Sequence, residues 1–296
     1  MIKKIFYGCL VLSMVTFGVK NVMAGAVLKM STTTSTQSSG LLDRLLPEFE
    51  KDTGISVKVV AKGTGAAIRD GRDGNVDVIF VHAKGRENKF VADAYGTQRY
   101  AVMHNDFVIV GPEKDPAGIK GLSDAALALK KIAAAGVMFV SRGDDSGTHT
   151  KEQALWRNSG VTLESKVQKI VRKGKEKEIT FQMPAGSTSW YRSIGQGMGK
   201  TLTYAEEKQA YTMSDRGTFI KYKYGKSPAL DLEVLCEGGS ALANPYGIIP
   251  VNPAKFPHVK YDLAMKFVNW LISAKGQKLI NDYRLEGKQL FHGDAR

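Results

Sequence analysis

The sequence is poor in cysteine and lacks a second long apolar run. Its 296 residues include two cysteines, Cys9 and Cys236, and Cys9 lies within an N-terminal apolar segment. A lone remaining thiol cannot close an internal disulfide, so the fold must depend on a large hydrophobic core or on two smaller ones. Residues 5–19 form the one long apolar stretch, and they fall short of the ~20 residues that span a bilayer. We therefore expect a soluble mature protein.

The patterns of common catalytic centres are also missing. The five histidines are scattered, without HExxH or the Cys/His spacing of zinc sites. No Gly-x-Ser-x-Gly elbow is present. An enzyme needs an activated nucleophile or a metal cluster, and neither pattern is visible. The sequence therefore predicts a protein without catalytic activity, cofactor or metal site.

The N-terminus has the organisation of an export signal. Lys3 and Lys4 precede the apolar segment, and small residues at 22 and 24 suit a signal-peptidase site. We interpret residues 1–24 as a signal peptide and expect a mature chain that starts near Gly25. This interpretation predicts a periplasmic protein.

Basic residues outnumber acidic ones. The formal net charge is +13, and loss of Lys3, Lys4 and Lys20 with the leader would reduce it to +10. No cluster of Lys and Arg with interleaved aromatics suggests a nucleic-acid surface, so we expect no nucleic-acid partner. The densest charge run, residues 172–178, alternates in sign and indicates a solvated loop or face. In an exported protein an excess of basic residues favours an electrostatic field that attracts small anions.

The mature chain shows strands alternating with helices, the pattern of a mainly parallel α/β protein. Residues 27–30 form an apolar run, leucines and Phe49 recur at helical spacing over 41–49, Gly54 suits a helix end, and residues 55–60 alternate like a strand. We predict further strands at 76–81, 107–110, 137–140, 232–235 and 246–251, and amphipathic helices over 261–283. Glycine and proline residues near 111–112 and 238–253 indicate boundaries between two lobes. We predict that residues 25–108 begin the first lobe, that residues 109–240 form the second lobe, and that residues 241–296 return to the first lobe.

Several polar loops follow the predicted strands and open helices. Residues 31–37, 62–67, 141–148 and 186–189 are rich in Gly, Ser and Thr. Free N–H groups and the helix dipole make such helix starts receptive to anions, although any single loop could be an ordinary N-cap. Loops of this kind gather at the carboxyl ends of parallel strands. Together they predict one shared oxyanion site.

The loop at 141–148 carries the most chemistry. Arg142 offers five donors in a fixed, permanently charged fork. Ser146, Gly147 and Thr148 would add hydroxyl and backbone donors at the start of a helix. Asp144 and Asp145 are compatible with three roles: capping the helix, orienting Arg142, or accepting a proton from a protonated ligand. If the ligand is an anion that carries no proton, we expect both carboxylates to point away from it.

Residues 195–201 resemble a phosphate-binding P-loop but fail its spacing. The motif requires glycine five residues before Gly199, and Ile194 stands there. We interpret this stretch as a helix with a C-terminal glycine cap. We also predict a helix after 186–189 and a capping box at Thr203 and Glu206.

Five segments resemble the periplasmic tungstate-binding proteins of ABC importers, and the resemblance covers essentially the whole mature chain. The most specific is Ser-Thr-Thr-Thr-Ser at 31–35 with Ser-Gly-Leu-Leu at 39–42. The loop at 141–149 is less specific, because phosphate-binding proteins carry a similar Arg-x-Asp-x-Ser-Gly-Thr element. The other segments that match are 194–200, 214–218 and 244–252.

The resemblance implies a two-lobed α/β fold of the type II periplasmic binding proteins, with two hinge crossings and an oxyanion in the cleft. It further implies a monomer that binds tungstate as the oxyanion and delivers it to an ABC permease in the inner membrane. Residues 213–218 are expected near the cleft, without an assigned role. The donors that it implies are Thr33, Thr34, Ser35, Thr64, Gly65, Arg142, Thr148, Ser193 and Ile194.

Two other functions remain open on the sequence alone. A phosphate-binding protein of the same fold would use Asp144 or Asp145 to accept the ligand proton. An exported hydrolase of phosphate or sulfate esters would need the catalytic patterns that are missing. Tungstate and molybdate share shape and charge, so no pattern of residue types distinguishes them here.

Overall fold

The computed structural model describes residues 25–172 and 175–295. The predicted signal peptide, residues 1–24, lies outside the described residues, as do residues 173–174 of the charge run.

The strands are β1 (Ala26–Thr33), β2 (Ile55–Lys62), β3 (Val78–Val81), β4 (Tyr100–Gly111), β5 (Phe139–Ser141), β6 (Leu163–Arg172), β7 (Lys175–Pro184), β8 (Tyr191–Ser193), β9 (Tyr211–Asp215), β10 (Glu233–Cys236), β11 (Ala243–Pro250), β12 (Arg284–Leu285), β13 (Lys288–Gln289) and β14 (His292–Gly293).

The helices lie mostly between strands. They are α1 (Thr34–Ser38), α2 (Leu41–Thr53), α3 (Thr64–Arg72), α4 (Lys84–Ala92), α5 (Ala125–Ala135), α6 (Gly147–Asn158), α7 (Met198–Glu207), α8 (Arg216–Tyr224), α9 (Tyr261–Ile272) and α10 (Ala274–Asp282), with a 3₁₀ turn at Ser240–Leu242. In α2, Leu41, Leu45 and Phe49 share a fully buried face. The helix ends at Gly54, whose φ of +68° is a conformation that glycine adopts without strain.

One mixed sheet organises the chain. Its strand order is β2-β1-β3-β11-β4-β9-β5-β8, and β10 and β14 also pair with β4. β1 lies parallel to β2 and β3, and β5 lies parallel to β8 and β9. The pairs of β11 with β3 and β4, and of β4 with β9, are antiparallel. The two parallel groups therefore each present their carboxyl-terminal loops at a sheet edge.

The long strand β4 belongs to both parts of this sheet. Residues 100–106 pair with β11, and Phe107 to Val110 pair with β9. One hydrophobic core, which includes Leu28, Phe80 and Phe267, lies on the β1 side. Another, which includes Phe139 and Trp156, lies on the β5 side. The α/β fold is confirmed, and the lobe boundaries at 25–108, 109–240 and 241–296 stay a proposal.

Three local predictions are wrong. Residues 195–201 lead into a helix instead of ending one: Gly197 is the N-cap residue of α7, with an extended φ of −69°. Thr203 therefore lies inside α7 and caps nothing; its hydroxyl donates to the carbonyl of Gly199. The segment 186–189 leads through a turn into β8, not into a helix. Glycine spacing alone does not distinguish a helix start from a helix end.

The described part of the charge run, residues 172 and 175–178, lies in two paired strands that the sequence did not predict. β6 and β7 pair with each other in a separate two-stranded sheet. Residues 176–178 of the run are exposed, as expected of a solvated face. Among residues 25–172 and 175–295, no helix has the length and apolar character of a membrane span.

Candidate oxyanion site

The junction of β1 and α1 holds the predicted donors Thr33, Thr34 and Ser35. Thr33 is buried and caps α1, because its Oγ1 accepts the N–H of Thr36 at 3.2 Å. The same oxygen lies 2.6 Å from Thr36 Oγ1 and 3.0 Å from Ser35 Oγ. Thr34 and Ser35 are exposed. Thr33 is therefore the centre of a hydroxyl cluster, and Thr34 lies at its surface.

His82 completes this cluster, although no sequence motif marks it. It follows β3, whose parallel neighbour is β1. Its Nε2 lies 3.1 Å from Ser35 Oγ and 3.2 Å from Thr33 Oγ1. The rule that loops after neighbouring parallel strands converge could have found it. We name Thr33, Ser35, Thr36 and His82 the β1 cluster.

Two asparagines fix the orientation of the His82 ring. Asn244 donates its amide hydrogen to Asn105 Oδ1 at 2.7 Å, so its own oxygen faces His82 Nδ1 at 3.0 Å. Nδ1 therefore carries a hydrogen, and Nε2 of the neutral ring is an acceptor. Tyr246 stacks on the ring with centroids 4.7 Å apart. Burial lowers the pKa of His82, opposed by the Asn244 hydrogen bond and by the charge of Asp215.

Arg142 lies between β5 and α6 with only 14% of its side chain exposed. Its Nη2 donates to Asp144 Oδ2 at 2.6 Å, and its Nη1 donates to Thr148 Oγ1 at 3.3 Å. Asp144 also accepts the N–H of Ser146, so its carboxylate both orients the guanidinium and bonds the N-cap residue of α6. The Nε of Arg142 is buried and has no hydrogen-bond partner among the described residues. A buried donor without a partner is costly, so this atom is suited to a ligand.

Ser193 lies beside the Arg142 loop because β8 pairs in parallel with β5. Gly143 between them has a φ of +56°, and a Cβ there would clash with Ser193 Oγ, so glycine is required for both reasons. The Ser193 hydroxyl is buried and has no partner among the described residues. The N–H of Ile194 donates to the carbonyl of Ser141. We name Arg142, Thr148 and Ser193 the β5 cluster.

The start of α6 adjoins this cluster. Ser146 is the N-cap residue and accepts the N–H of His149 at 3.3 Å, while Gly147 is the exposed first residue of the helix. Asp145 adopts a φ of +56°, is exposed, and pairs with Lys177 at 2.7 Å. Its carboxylate therefore points to the surface hairpin of β6 and β7.

A buried carboxylate lies behind the β5 cluster. Glu152 of α6 is 2% exposed and accepts hydrogen bonds from Ser141 Oγ at 2.7 Å and from Tyr191 OH at 2.8 Å. Ser141 in turn accepts the N–H of Gly143 in the Arg142 loop. Burial raises the pKa of Glu152 to about 7, against the lowering effect of these hydrogen bonds. No local sequence pattern identifies Glu152 as special, because its partners Ser141 and Tyr191 lie on β5 and β8, away from α6.

Thr64 and Gly65 open α3, whose N-cap Gly63 provides no side chain. Both are partly buried. A Cβ at Gly65 would lie 3.7 Å from Arg86 Nη1 and 3.8 Å from Arg69 Nη1, so two guanidinium groups flank this helix start. The arrangement is electropositive, and no hydrogen bond of the described residues joins it to the β1 cluster.

Residues 213–218 lie where β9 passes into α8. Asp215 caps α8 by accepting from the N–H of Thr218 at 2.8 Å. Arg216 forms a two-pronged pair with Asp106 and also bonds Glu237, so its charge is already engaged. The segment therefore contributes a carboxylate whose charge acts on His82.

Two lysines tie the β5 side of the molecule to the β1 side. Lys221 of α8 donates to the carbonyl of Ser38 in α1. Lys151 of α6 donates to the carbonyls of Ala241 and Ala243 at 2.9 and 3.1 Å. The donor loops after β1 and β5 thus follow different groups of parallel strands in one sheet, and these lysine contacts connect the two sides.

The arrangement as a whole suits binding more than reaction. Both clusters offer hydroxyl and N–H donors at the carboxyl ends of parallel strands, where α/β proteins bind ligands. Within the described ranges, no group of His, Cys, Asp and Glu side chains is placed to hold a metal ion. A donor-rich pair of clusters is the complement of a small oxyanion.

Comparisons with known proteins identify relatives of this chain. Residues 24–275 match the family model of the PBP superfamily domain. The chain is 44% identical over 281 residues to the tungstate-binding protein TupA of Peptoclostridium acidaminophilum, covering 94% of this chain and 89% of that protein. A solved tungstate-binding protein TupA from Desulfovibrio alaskensis is 46% identical, with a TM-score of 0.82 over 92% of this chain and all of that one. The tungstate ABC transporter structure from Geobacter sulfurreducens is 51% identical, with a TM-score of 0.69 over 87% of this chain and 98% of that one.

Proposed function

This chain belongs to the PBP superfamily and, within it, to the family of tungstate-binding proteins, and on that premise we propose that it captures tungstate for an ABC importer. It acts by binding and release and has no catalytic role. Molybdate, which has the same shape and charge, remains the second candidate ligand.

The observation that carries the proposal is the β5 cluster. It combines a guanidinium, one arm of which pairs with Asp144, with two buried donor atoms, Arg142 Nε and Ser193 Oγ, that have no partner among the described residues. Tungstate at neutral pH is a dianion with four acceptor oxygens and no proton, so a site made of donors matches it. Charge-assisted hydrogen bonds from a guanidinium are about twice as strong as neutral ones.

The β1 cluster would supply the opposite wall of the site. Thr33 and Ser35 provide hydroxyls at the end of β1, and Thr34 provides an exposed one. We further assign Thr64, Gly65 and Gly147 to the rim through helix-start N–H groups, Ser146 through its hydroxyl, and Ile194 through its position next to Ser193. Closure of two lobes about β4 and β11 would bring the walls onto the anion.

The cellular setting follows from the same premise. Residues 1–24 would export the chain to the periplasm, where the monomer would bind tungstate and pass it to a permease in the inner membrane. The relative from Geobacter sulfurreducens is described as a tungstate ABC transporter, which supports this partner.

Calorimetric titration of the chain starting at Gly25 tests the proposal, with tungstate, molybdate, sulfate and phosphate. Tungstate should bind with one site, sulfate and phosphate far more weakly. At a hundredfold excess over Kd, binding should stabilise the fold by about 2.7 kcal/mol, which a thermal shift detects. Phosphate binding as tight as tungstate binding, abolished by Asp144→Asn, would replace tungstate by phosphate as the ligand.

A further inference from the structure

The hydrogen atoms of the β1 cluster can be counted. Four contacts join its polar atoms: Thr33 to Thr36, Thr33 to Ser35, Ser35 to His82 and Thr33 to His82. The three hydroxyl groups bring three hydrogens. Because Asn244 fixes the ring hydrogen on Nδ1, Nε2 of the neutral ring brings none and must accept one of the three.

With a neutral His82 the three hydroxyl hydrogens can all be held inside the cluster, one on Nε2 and two in the contacts of Thr33 with Ser35 and Thr36. The phenol of Tyr246 also bonds Thr36 at the buried side of the cluster. In this arrangement no hydroxyl hydrogen of the cluster is directed at an anion. If Nε2 gains a proton, it donates to Ser35 or Thr33, and the hydroxyl hydrogen that it had accepted becomes available to a ligand. The same proton adds a positive charge beside the site.

We propose that His82 is the positioning residue of the β1 cluster and takes up one proton from solvent when tungstate binds. The inference rests on the proposed function, since it assigns Thr33 and Ser35 to the anion. The step forms one N–H bond on Nε2 and breaks none in the protein. The imidazolium keeps both ring nitrogens bonded, with Nδ1 on Asn244 and Nε2 on a hydroxyl.

The surroundings of the ring decide when the proton binds. In the free protein burial lowers the pKa of His82, so the neutral form prevails at pH 7. A bound dianion opposes that effect, because an adjacent negative charge favours the imidazolium. The other charged or titratable groups on the elements around this loop are Asp215 and Lys221 of α8, Tyr246 of β11, and Glu87 of α4 with its partner Arg99. Among them, the charge of Asp215 raises the pKa of His82.

Calorimetry of the wild-type chain in two buffers of different ionisation enthalpy measures the protons taken up per tungstate. We expect proton uptake at pH 7, where the His82 ring of the free protein is neutral because burial lowers its pKa. Where the uptake approaches one proton, Kd should rise by up to about tenfold per pH unit. Nitrogen NMR of the free protein should show that the His82 ring carries a hydrogen on Nδ1 alone. After tungstate is added, the ring should carry a hydrogen on Nε2 as well.

His82→Gln keeps hydrogen-bonding capacity without titration, so its proton uptake should fall by close to one proton and its Kd should depend correspondingly less on pH. His258→Gln is the matched control, because His258 bonds the carbonyl of Gly74 outside the cluster; it should behave as wild type. Tungstate binding without proton uptake, or uptake that is undiminished in His82→Gln, would overturn the inference and leave the proposed function intact. If His82→Gln does not fold, the wild-type NMR spectra decide between these outcomes. Absence of tungstate binding by the wild-type chain would reject both.

Discussion

The β1 cluster and the β5 cluster offer hydrogen-bond donors in different ways. The β5 cluster has a guanidinium that stays charged at every physiological pH, and two of its donor atoms are buried without partners among the described residues. The β1 cluster is neutral and internally satisfied, because its hydroxyls bond one another and the His82 ring. One side of the site is therefore ready for an anion, and the other must rearrange its hydrogens first.

This difference suggests a division of roles. The unsatisfied donors of the β5 cluster do not titrate near neutral pH, so they attract an anion without a proton step, and their geometry is fixed by Asp144 and by the close approach of Gly143 to Ser193. A closed hydroxyl network costs free energy to open, so it responds to the ligand and to pH. We expect affinity to depend mostly on the β5 cluster and the pH dependence of affinity mostly on the β1 cluster.

The largest effect should come from Arg142→Ala. Removing a buried charged group that holds a charged ligand costs roughly 2–5 kcal/mol, so Kd for tungstate should rise at least about thirtyfold. Arg142→Lys should recover only part of the loss, because a point charge does not reproduce the fork. Calorimetric titration of both variants measures this. Arg157→Ala, an exposed position on α6, is the control and should bind as wild type.

Part of that loss would come from Asp144, whose carboxylate would lose the bonded guanidinium and repel the anion. The double variant Arg142→Ala with Asp144→Asn separates the two contributions and should bind tungstate more tightly than Arg142→Ala alone. If Arg142→Ala binds tungstate with wild-type affinity, the affinity does not depend mostly on the β5 cluster, and the proposed difference between the two clusters is wrong.

The carboxylate behind the β5 cluster should make folding stability depend on pH. Burial raises the pKa of Glu152 from 4.5 to about 7, so the folded chain holds this proton more tightly than the unfolded chain. That contribution is complete below about pH 4.5 and is lost as pH rises through about 7. Relative to Glu152→Gln, the wild type should lose on the order of 3 kcal/mol over this range.

Urea unfolding at a series of pH values measures the difference. Glu178→Gln, at an exposed position of β7, is the matched control and should follow the wild type. If the free energies of unfolding of the wild type and of Glu152→Gln differ by the same amount at every pH, the Glu152 carboxyl has the same pKa in the folded and unfolded states, and the prediction is wrong.

Within the β1 cluster, Thr33 and its neighbour Thr34 should behave differently. Thr33→Val removes the N-cap of α1 and the centre of the hydroxyl network, so both stability and tungstate affinity should fall, each by about 1 kcal/mol. Thr34 is exposed, and its hydroxyl is proposed to bond only the ligand, so Thr34→Val should weaken binding by up to about tenfold and leave stability unchanged. Thermal unfolding without ligand and calorimetry with ligand separate the two. A stability loss in Thr34→Val, or its absence in Thr33→Val, would contradict this assignment.

The sequence predicted the loops of both clusters because their signal is local. Ser, Thr, Gly and Arg follow strands β1 and β5 directly, and residue type alone indicates donors there. His82 and Asn244 were missed because their contact joins positions 162 residues apart. Residues 195–201 were misassigned because glycine is common at both helix ends, and only the backbone angles show that Gly197 starts α7.

The smallest effect should come from Asp145, and it bears on which anion the β5 cluster accepts. Hydrogen phosphate carries a proton, so a phosphate site needs an acceptor directed at the ligand. Asp145 instead pairs with Lys177 on the exposed hairpin, and surface pairs contribute about 0–1 kcal/mol. Asn tolerates the φ of +56° at this position, so Asp145→Asn changes the charge with little backbone strain. Its tungstate affinity and its discrimination against phosphate should both equal those of the wild type, measured by competition titration. If Asp145→Asn instead alters phosphate binding, the carboxylate reaches the ligand in the bound state, and the β5 cluster would contain an acceptor as well as donors.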